Sequence, residues 1–204
     1  MRISSYRRFS LRAALGMGAF LAALLCGGTA FAFASDGTIT INGKVLNNTC
    51  AIAVVAGTTA PVSGSPNLTL NLASIPYSAI LTHGMATLST PFTIGVYNCG
   101  STGSTMNVSF DVGGGMNASG VLTNTGTANS IIAFRIMNAD NATPVTTGTP
   151  NATAASITPA GAGATGGGSQ TFYVLYYNSS ASTTLTPAMA GTVVGSVTYT
   201  IVYT

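Results

Sequence analysis

The sequence predicts an all-β protein built as a sandwich of two sheets. Three observations carry that expectation. Apolar and polar residues alternate in five short segments; Gly, Asn, Pro and Ser punctuate the gaps between them; and helical periodicity is almost absent.

In chain order, alternation appears at Thr38-Ile39-Thr40-Ile41, Leu68-Thr69-Leu70-Asn71-Leu72 and Phe92-Thr93-Ile94-Gly95-Val96. It returns at Met106-Asn107-Val108-Ser109-Phe110 and Val197-Thr198-Tyr199-Thr200-Ile201. Two apolar runs, Ile131 to Met137 and Phe172 to Tyr177, have strand length and β-branched or aromatic content. Roughly seven or eight short strands of this kind argue a β-sandwich of immunoglobulin-like type. No Trp is present for the usual core position of an antibody-type domain. From Thr146 to Ser169 the composition turns to Gly, Ala, Thr and Pro, which reads as one long surface loop.

Charge narrows the functional classes. Of 204 residues, six are Lys or Arg and three are Asp, with no Glu and one His. Six cations cannot make the dense basic surface that nucleic acids need, and general acid–base catalysis has few groups to draw on. Four of the cations, Arg2, Arg7, Arg8 and Arg12, precede an uncharged apolar run from Ala13 to Cys26. Small residues and Ala32-Phe33-Ala34 follow. A basic segment, a short apolar segment and an A-x-A site read as a secretory signal peptide over residues 1–34. The run is shorter than the ~18 residues of a spanning helix, and Leu25 stands where a lipoprotein site needs a small residue before Cys26.

Cleavage after Ala34, with Ala32 as the alternative site, leaves 170 of the 204 residues, from Ser35 to Thr204. Lys44 and Arg135 then stand against Asp36, Asp111 and Asp140, a net charge of −1. Cys50 and Cys99 remain, and an even pair in an exported chain reads as one disulfide. It would close a loop of about 50 residues, contributing roughly 4 kcal/mol through loop entropy.

Several chemical motifs dissolve on inspection. Gly161-Ala162-Gly163-Ala164-Thr165-Gly166 matches G-x-G-x-x-G, but Pro159 precedes it, a strand follows, and no acidic residue lies downstream. His83 with a Ser and Asp111 or Asp140 could in principle form a triad, but no nucleophile-elbow motif frames any Ser. Two Cys and one His are too few ligands for a structural metal site. No cofactor and no enzymatic activity are expected.

The ends of the mature chain carry the information. Along Ser35 to Val45, residues Gly37, Ile39, Ile41, Gly43 and Val45 share one strand face. At the other end Val193, Gly195, Val197, Tyr199, Ile201 and Tyr203 alternate with mostly small or polar residues. Tyr203 is penultimate, and Gly191 is the fourteenth residue counted back from Thr204. This combination, with one disulfide, resembles the chaperone–usher pilins of type 1-like fimbriae. The stretch from Gly37 to Cys50 is similar to their N-terminal extension and first Cys, and Val96 to Gly100 to their second Cys region.

The resemblance implies an incomplete immunoglobulin-like sandwich that lacks its seventh strand and is completed by a donor strand from a neighbouring subunit. It divides the chain into a signal peptide (1–34), a donor-strand extension (35–46) and a pilin domain (47–204). It makes Gly37, Ile39, Ile41, Gly43 and Val45 the inserting face. Gly191, Val197, Tyr199, Ile201 and Tyr203 become the recipient edge and chaperone-recognition site, and Cys50 and Cys99 the disulfide. The implied partners are copies of the chain or other pilins, a periplasmic chaperone and an outer-membrane usher. The implied function is a structural subunit of a surface fimbria that supports cell adhesion, as major rod subunit or, alternatively, as a minor adaptor or tip-proximal pilin with adhesive binding. Glycines at 37 and 43 would fit where the groove is shallow or crowded. Burial of Ile39, Ile41 and Val45 would contribute roughly 5–9 kcal/mol before ordering costs.

Overall fold

The computed structural model describes residues 37–44, 50–81, 84–99, 105–111, 115–157, 166–181 and 183–203, and ten strands account for just over half of these described residues. They are β1 (Gly37–Lys44), β2 (Ala51–Ala56), β3 (Leu68–Leu72), β4 (Gly84–Tyr97) and β5 (Thr105–Phe110). β6 (Val121–Leu122), β7 (Ile132–Met137), β8 (Pro150–Ser156), β9 (Gly167–Asn178) and β10 (Val193–Tyr203) follow. One sheet has the order β3-β1-β10-β5-β8 and the other β2-β4-β9-β7-β6. Two sheets with mostly antiparallel pairing agree with the immunoglobulin-like sandwich expected from the sequence.

Alternation places the core. Ile39, Ile41, Leu70, Leu72, Val197, Tyr199, Ile201, Met106, Val108 and Phe110 point inward from the first sheet and are buried. Phe92, Ile94, Val96, Phe172, Val174, Tyr176, Phe134 and Ile136 meet them from the second. Phe110 and Phe172 touch edge to face across the interface, with ring centroids 5.1 Å apart. On the outer side of the second sheet Met137, Leu175 and Tyr177 form a small buried cluster of their own, with the Arg135 guanidinium 4.6 Å above the Tyr177 ring.

Three buried polar side chains, those of Gln170, Asn178 and Thr93, are tied to backbone. The register of β5 against β8 shifts between Met106 and Val108, and the Val108 amide donates instead to Gln170 Oε1, at 2.8 Å, from the opposite sheet. Asn178, fully buried at the end of β9, donates to the Ile80 carbonyl and holds the short 3-10 turn Tyr77–Ile80. Thr93 Oγ1 donates to the Gly57 carbonyl at 2.8 Å.

Cys50 and Cys99 are joined, with Cα atoms 4.3 Å apart. Cys50 directly precedes β2 and Cys99 lies two residues beyond β4, and β2 and β4 pair with Ala51 opposite Tyr97. The bridge therefore closes one end of an existing antiparallel pair.

One correction concerns residues 146–169, expected as a single surface loop. β8 lies inside that stretch and pairs with β5, and Gly167–Ser169 already belong to β9. β8 is an outermost strand that begins with a proline, where a missing amide costs no ladder bond. Its Ala, Thr and Asn residues carry little intrinsic strand signal. Gly161 to Thr165 and His83, the residues of the nucleotide-loop and triad readings, lie outside the described residues.

Replacing Gln170 with Leu should cost about 1–3 kcal/mol, because the buried Val108 amide loses its acceptor. Urea denaturation of the mature protein checks this. A midpoint unchanged from wild type would mean the amide finds another partner.

Candidate functional site

The two informative ends of the sequence meet in the first sheet. β1 lies between β10 and β3, parallel to β10 from Gly37 opposite Val193 to Lys44 opposite Thr200. It is antiparallel to β3 from Gly37 opposite Leu72 to Ile41 opposite Leu68. Ile39 and Ile41 are fully buried, Thr38 and Thr40 half-buried, and Asn42 exposed. This is the strand periodicity read from the sequence, with the apolar face turned into the sandwich.

The two glycines of that face sit at crowded positions. A Cβ on Gly37 would lie 2.6 Å from both Phe134 Cζ and the Tyr176 hydroxyl oxygen. These two rings meet at a tilt of 54° with centroids 5.1 Å apart and wall one end of the groove. A Cβ on Gly43 would run into the Tyr199 ring at the other end. The Tyr199 hydroxyl donates to the Pro66 carbonyl at 2.9 Å, and the Gly43 amide donates to Asn67 Oδ1 at 3.2 Å. The segment leading into β3 thus caps the groove beside Gly43.

β10 supplies the floor. Val193, Val197, Tyr199 and Ile201 are buried, and Tyr203 is half-buried. The edge of β10 away from β1 is also covered. β5 pairs with Tyr199 to Tyr203, and the segment from Asn124 to Ala128 bonds the first residues. Val194 donates to Asn124 Oδ1 at 3.1 Å, and Ala128 donates to the Thr192 carbonyl at 2.9 Å.

Gly191 lies two residues before β10. A Cβ there would be 2.7 Å from the Ala128 nitrogen and 2.8 Å from Thr127 Oγ1. Its local role is to let two backbone segments approach closely. It also borders a small apolar hollow of about 20 Å³ with Ile75, Ile80, Ile132 and Tyr176. Val45 lies outside the described residues.

A sheet lacking a strand is therefore not what the structure shows: the groove holds the chain's own leading strand. The physical reason is proximity. An open edge beside β10 would leave a row of unpaired amides and carbonyls over an apolar floor, and β1 is the nearest strand able to satisfy both. Sequence reasoning located both faces of this contact but not its walls. Phe134, Tyr176 and Asn67 come from distant segments, and only the crowding around Gly37 and Gly43 hinted at large neighbours.

Burial pushes the Tyr199 hydroxyl well above the usual tyrosine range, with the Tyr203 hydroxyl adding to the shift. Tyr203 is itself raised by burial. Among the described residues no group of three or more His, Cys, Asp or Glu is placed to hold a metal ion.

No family model matches the chain. It is 28% identical over 174 residues to the major fimbrial subunit SMF-1 of Stenotrophomonas maltophilia (strain K279a), a match covering 83% of this chain and 94% of that one. Among solved structures it is similar to the Burkholderia pseudomallei antigen and type I fimbria protein BPSL1626, at 20% identity and a TM-score of 0.38. That match covers 83% of this chain and 96% of the other. The resemblance to fimbrial subunits drawn from the two ends of the sequence thus holds in a relative that spans most of the chain.

Two outcomes follow from the groove. Gly43→Val should loosen β1 by about 1–3 kcal/mol through overpacking against Tyr199, read as faster amide exchange in β1, whereas Thr40→Val should not. Tyr199 must ionise more readily unfolded than folded, so its contribution is intact below pH ~10 and lost as pH rises beyond it. Tyr199→Phe should flatten that alkaline loss without abolishing it, since Tyr203 remains. Equal alkaline slopes in thermal melts of the two proteins would contradict this.

Proposed function

We propose that the protein, a relative of major fimbrial subunits, is an exported structural subunit of a surface fimbria that joins its neighbours by exchanging β1. The observation that carries this reading is the groove itself. A strand at the very start of the mature chain, separated from the domain by residues 45–49, fills a slot between β3 and β10.

Such a strand is suited to intermolecular use. Its backbone satisfies two sheet edges, and alternate side chains set the register. Full burial of Ile39 and Ile41 contributes about 1.5–3 kcal/mol each, and ladder bonds add ~0.5–1.5 kcal/mol apiece before ordering costs. Inserted into the next subunit, the strand makes a head-to-tail contact, which extends a filament instead of closing a ring.

In this reading residues 1–34 are a signal peptide, 35–46 the exchanged extension and 47–204 the pilin domain. A periplasmic chaperone would occupy the groove before assembly, and an outer-membrane usher would direct the exchange. The size of the chain and its match along most of a major subunit favour the rod over an adaptor or tip position. The exported protein has few charges and an exterior rich in Thr, Asn and Ser, as befits a surface packed against copies of itself.

Deleting residues 35–46 from the precursor should leave a protein that reaches the periplasm but is missing from fibres. Material sheared from cells expressing the intact chain should run as a ladder of multimers in SDS until boiled. Normal incorporation of the deletion variant into fibres would refute the reading.

A further inference from the structure

Asn42 is followed by Gly43, and this is the one Asn-Gly pair in the chain. An asparagine in that setting is chemically labile. The backbone nitrogen of the next residue can attack the side-chain amide carbon, and glycine puts no side chain in the way. Here the glycine is not replaceable, because a Cβ at 43 would run into the Tyr199 ring. The groove's demand for an empty position thus leaves a reactive pair inside the strand that fills it.

We propose that Asn42–Gly43 is a spontaneous deamidation site that the seating of β1 keeps latent, with the Asn67 side chain as its guard. The reaction needs only water. The Gly43 nitrogen gives up its proton to solvent and bonds to Asn42 Cγ. The Cγ–Nδ2 bond breaks and ammonia leaves, which closes a five-membered succinimide ring. Water then opens the ring at either carbonyl. Opening at Cγ gives aspartate. Opening at the main-chain carbonyl gives isoaspartate, whose backbone runs through the former side chain. In sum, water is consumed and ammonia released.

Burial does not protect the site, since Asn42 is exposed. Conformation does. Asn42 is held in an extended backbone opposite Thr198, and ring closure needs ψ turned far from the strand value. The attacking nitrogen is also occupied, because the Gly43 amide donates to Asn67 Oδ1 at 3.2 Å. That bond stands in for a ladder contact. Pairing between β1 and β3 ends at Ile41 opposite Leu68, and Asn67 is the residue just before it.

An unseated leader has neither restraint, and its products differ in effect. Aspartate at 42 keeps the strand period, with its side chain on the outward face. Isoaspartate adds one carbon to the main chain and breaks the period of two beyond residue 42. Gly43 is then carried off its seat beside Tyr199, and its amide away from Asn67. A leader left unseated ages into one that fits neither its own groove nor a neighbour's. The neighbour's part of that statement rests on strand exchange; the latent site does not.

From Ser35 to Lys44 the chain contains Asn42 as its one asparagine, so a tryptic peptide ending at Lys44 reads the site by mass and fragmentation. The mature protein, disulfide intact, is incubated folded and, in parallel, in urea. Asn42 should convert in urea, and at least about tenfold more slowly in the folded protein, the ratio reporting how rarely β1 opens. Equal rates, or no conversion in urea, would overturn the proposal. Asn67→Ala should bring the folded rate several-fold closer to the urea rate, whereas Asn67→Asp, which keeps an acceptor, should stay near wild type. Folded Asn67→Ala that converts as slowly as wild type would strip Asn67 of the guard's role. Wild type aged in urea and refolded should melt below its fresh sample, and Asn42→Ser treated alike should not; an unchanged wild-type melt would refute the effect on seating. Subunits recovered from fibres should carry less isoaspartate at 42 than unassembled subunits from the same cells. Equal content would refute exclusion from assembly and leave the latent site standing, whereas failure of exchange itself shows as fibres built from the 35–46 deletion.

Discussion

Everything in the first sheet depends on satisfying the backbone of β10 on the side that faces β1. Its other side is secured by β5 and by the Asn124–Ala128 segment. On the near side eight residues of β1 supply the partners. Remove them, and a row of amides and carbonyls is left beside an apolar floor of Val193, Val197 and Tyr199. The cost of that vacancy makes the strand indispensable; which molecule supplies it is a separate matter. A domain built on such a demand is stable only in company, whether the company is its own leader or a neighbour.

The glycines show how closely the groove is fitted. Gly37 and Gly43 are not loop residues but strand residues whose missing side chains make room for Phe134, Tyr176 and Tyr199. Gly191 serves the opposite need, bringing two backbone segments together outside the groove. Three glycines named together from the sequence thus divide into two that shape the inserting face and one that shapes the frame around it.

Much of the fold was legible because strand burial is written in a period of two. The segments at Thr38, Leu68, Phe92, Met106 and Val197 all became strands, as did both apolar runs. What escaped lacked that period. β2, Ala-Ile-Ala-Val-Val-Ala, is a continuous apolar run that alternation cannot flag, although its length and its start beside Cys50 were usable signals. β6 has two residues, and β8 is an edge strand of Ala, Thr and Asn held by β5 on one side. The glycine pair was readable as a sign of a shallow or crowded groove, and the structure shows crowding. The identity of the crowding rings was not, because Phe134 and Tyr176 reach the groove from another sheet. Occupation of the groove by the chain's own strand also escaped, since it depends on the distance between Lys44 and the body of the domain.

The disulfide gains a mechanical meaning from its address. Cys50 is the first described residue after the link that follows β1, and it is bonded to Cys99 just past the fourteen-residue strand β4. In a filament joined by strand exchange, as proposed, tension in the exchanged leader would enter the body at Cys50. Without the bridge that pull would fall on β2, a six-residue edge strand that can be peeled pair by pair from its end. With it, the load would pass covalently into β4, flanked on both sides by hydrogen-bonded neighbours, and a peeling geometry would be traded for a shearing one that must break many bonds at once.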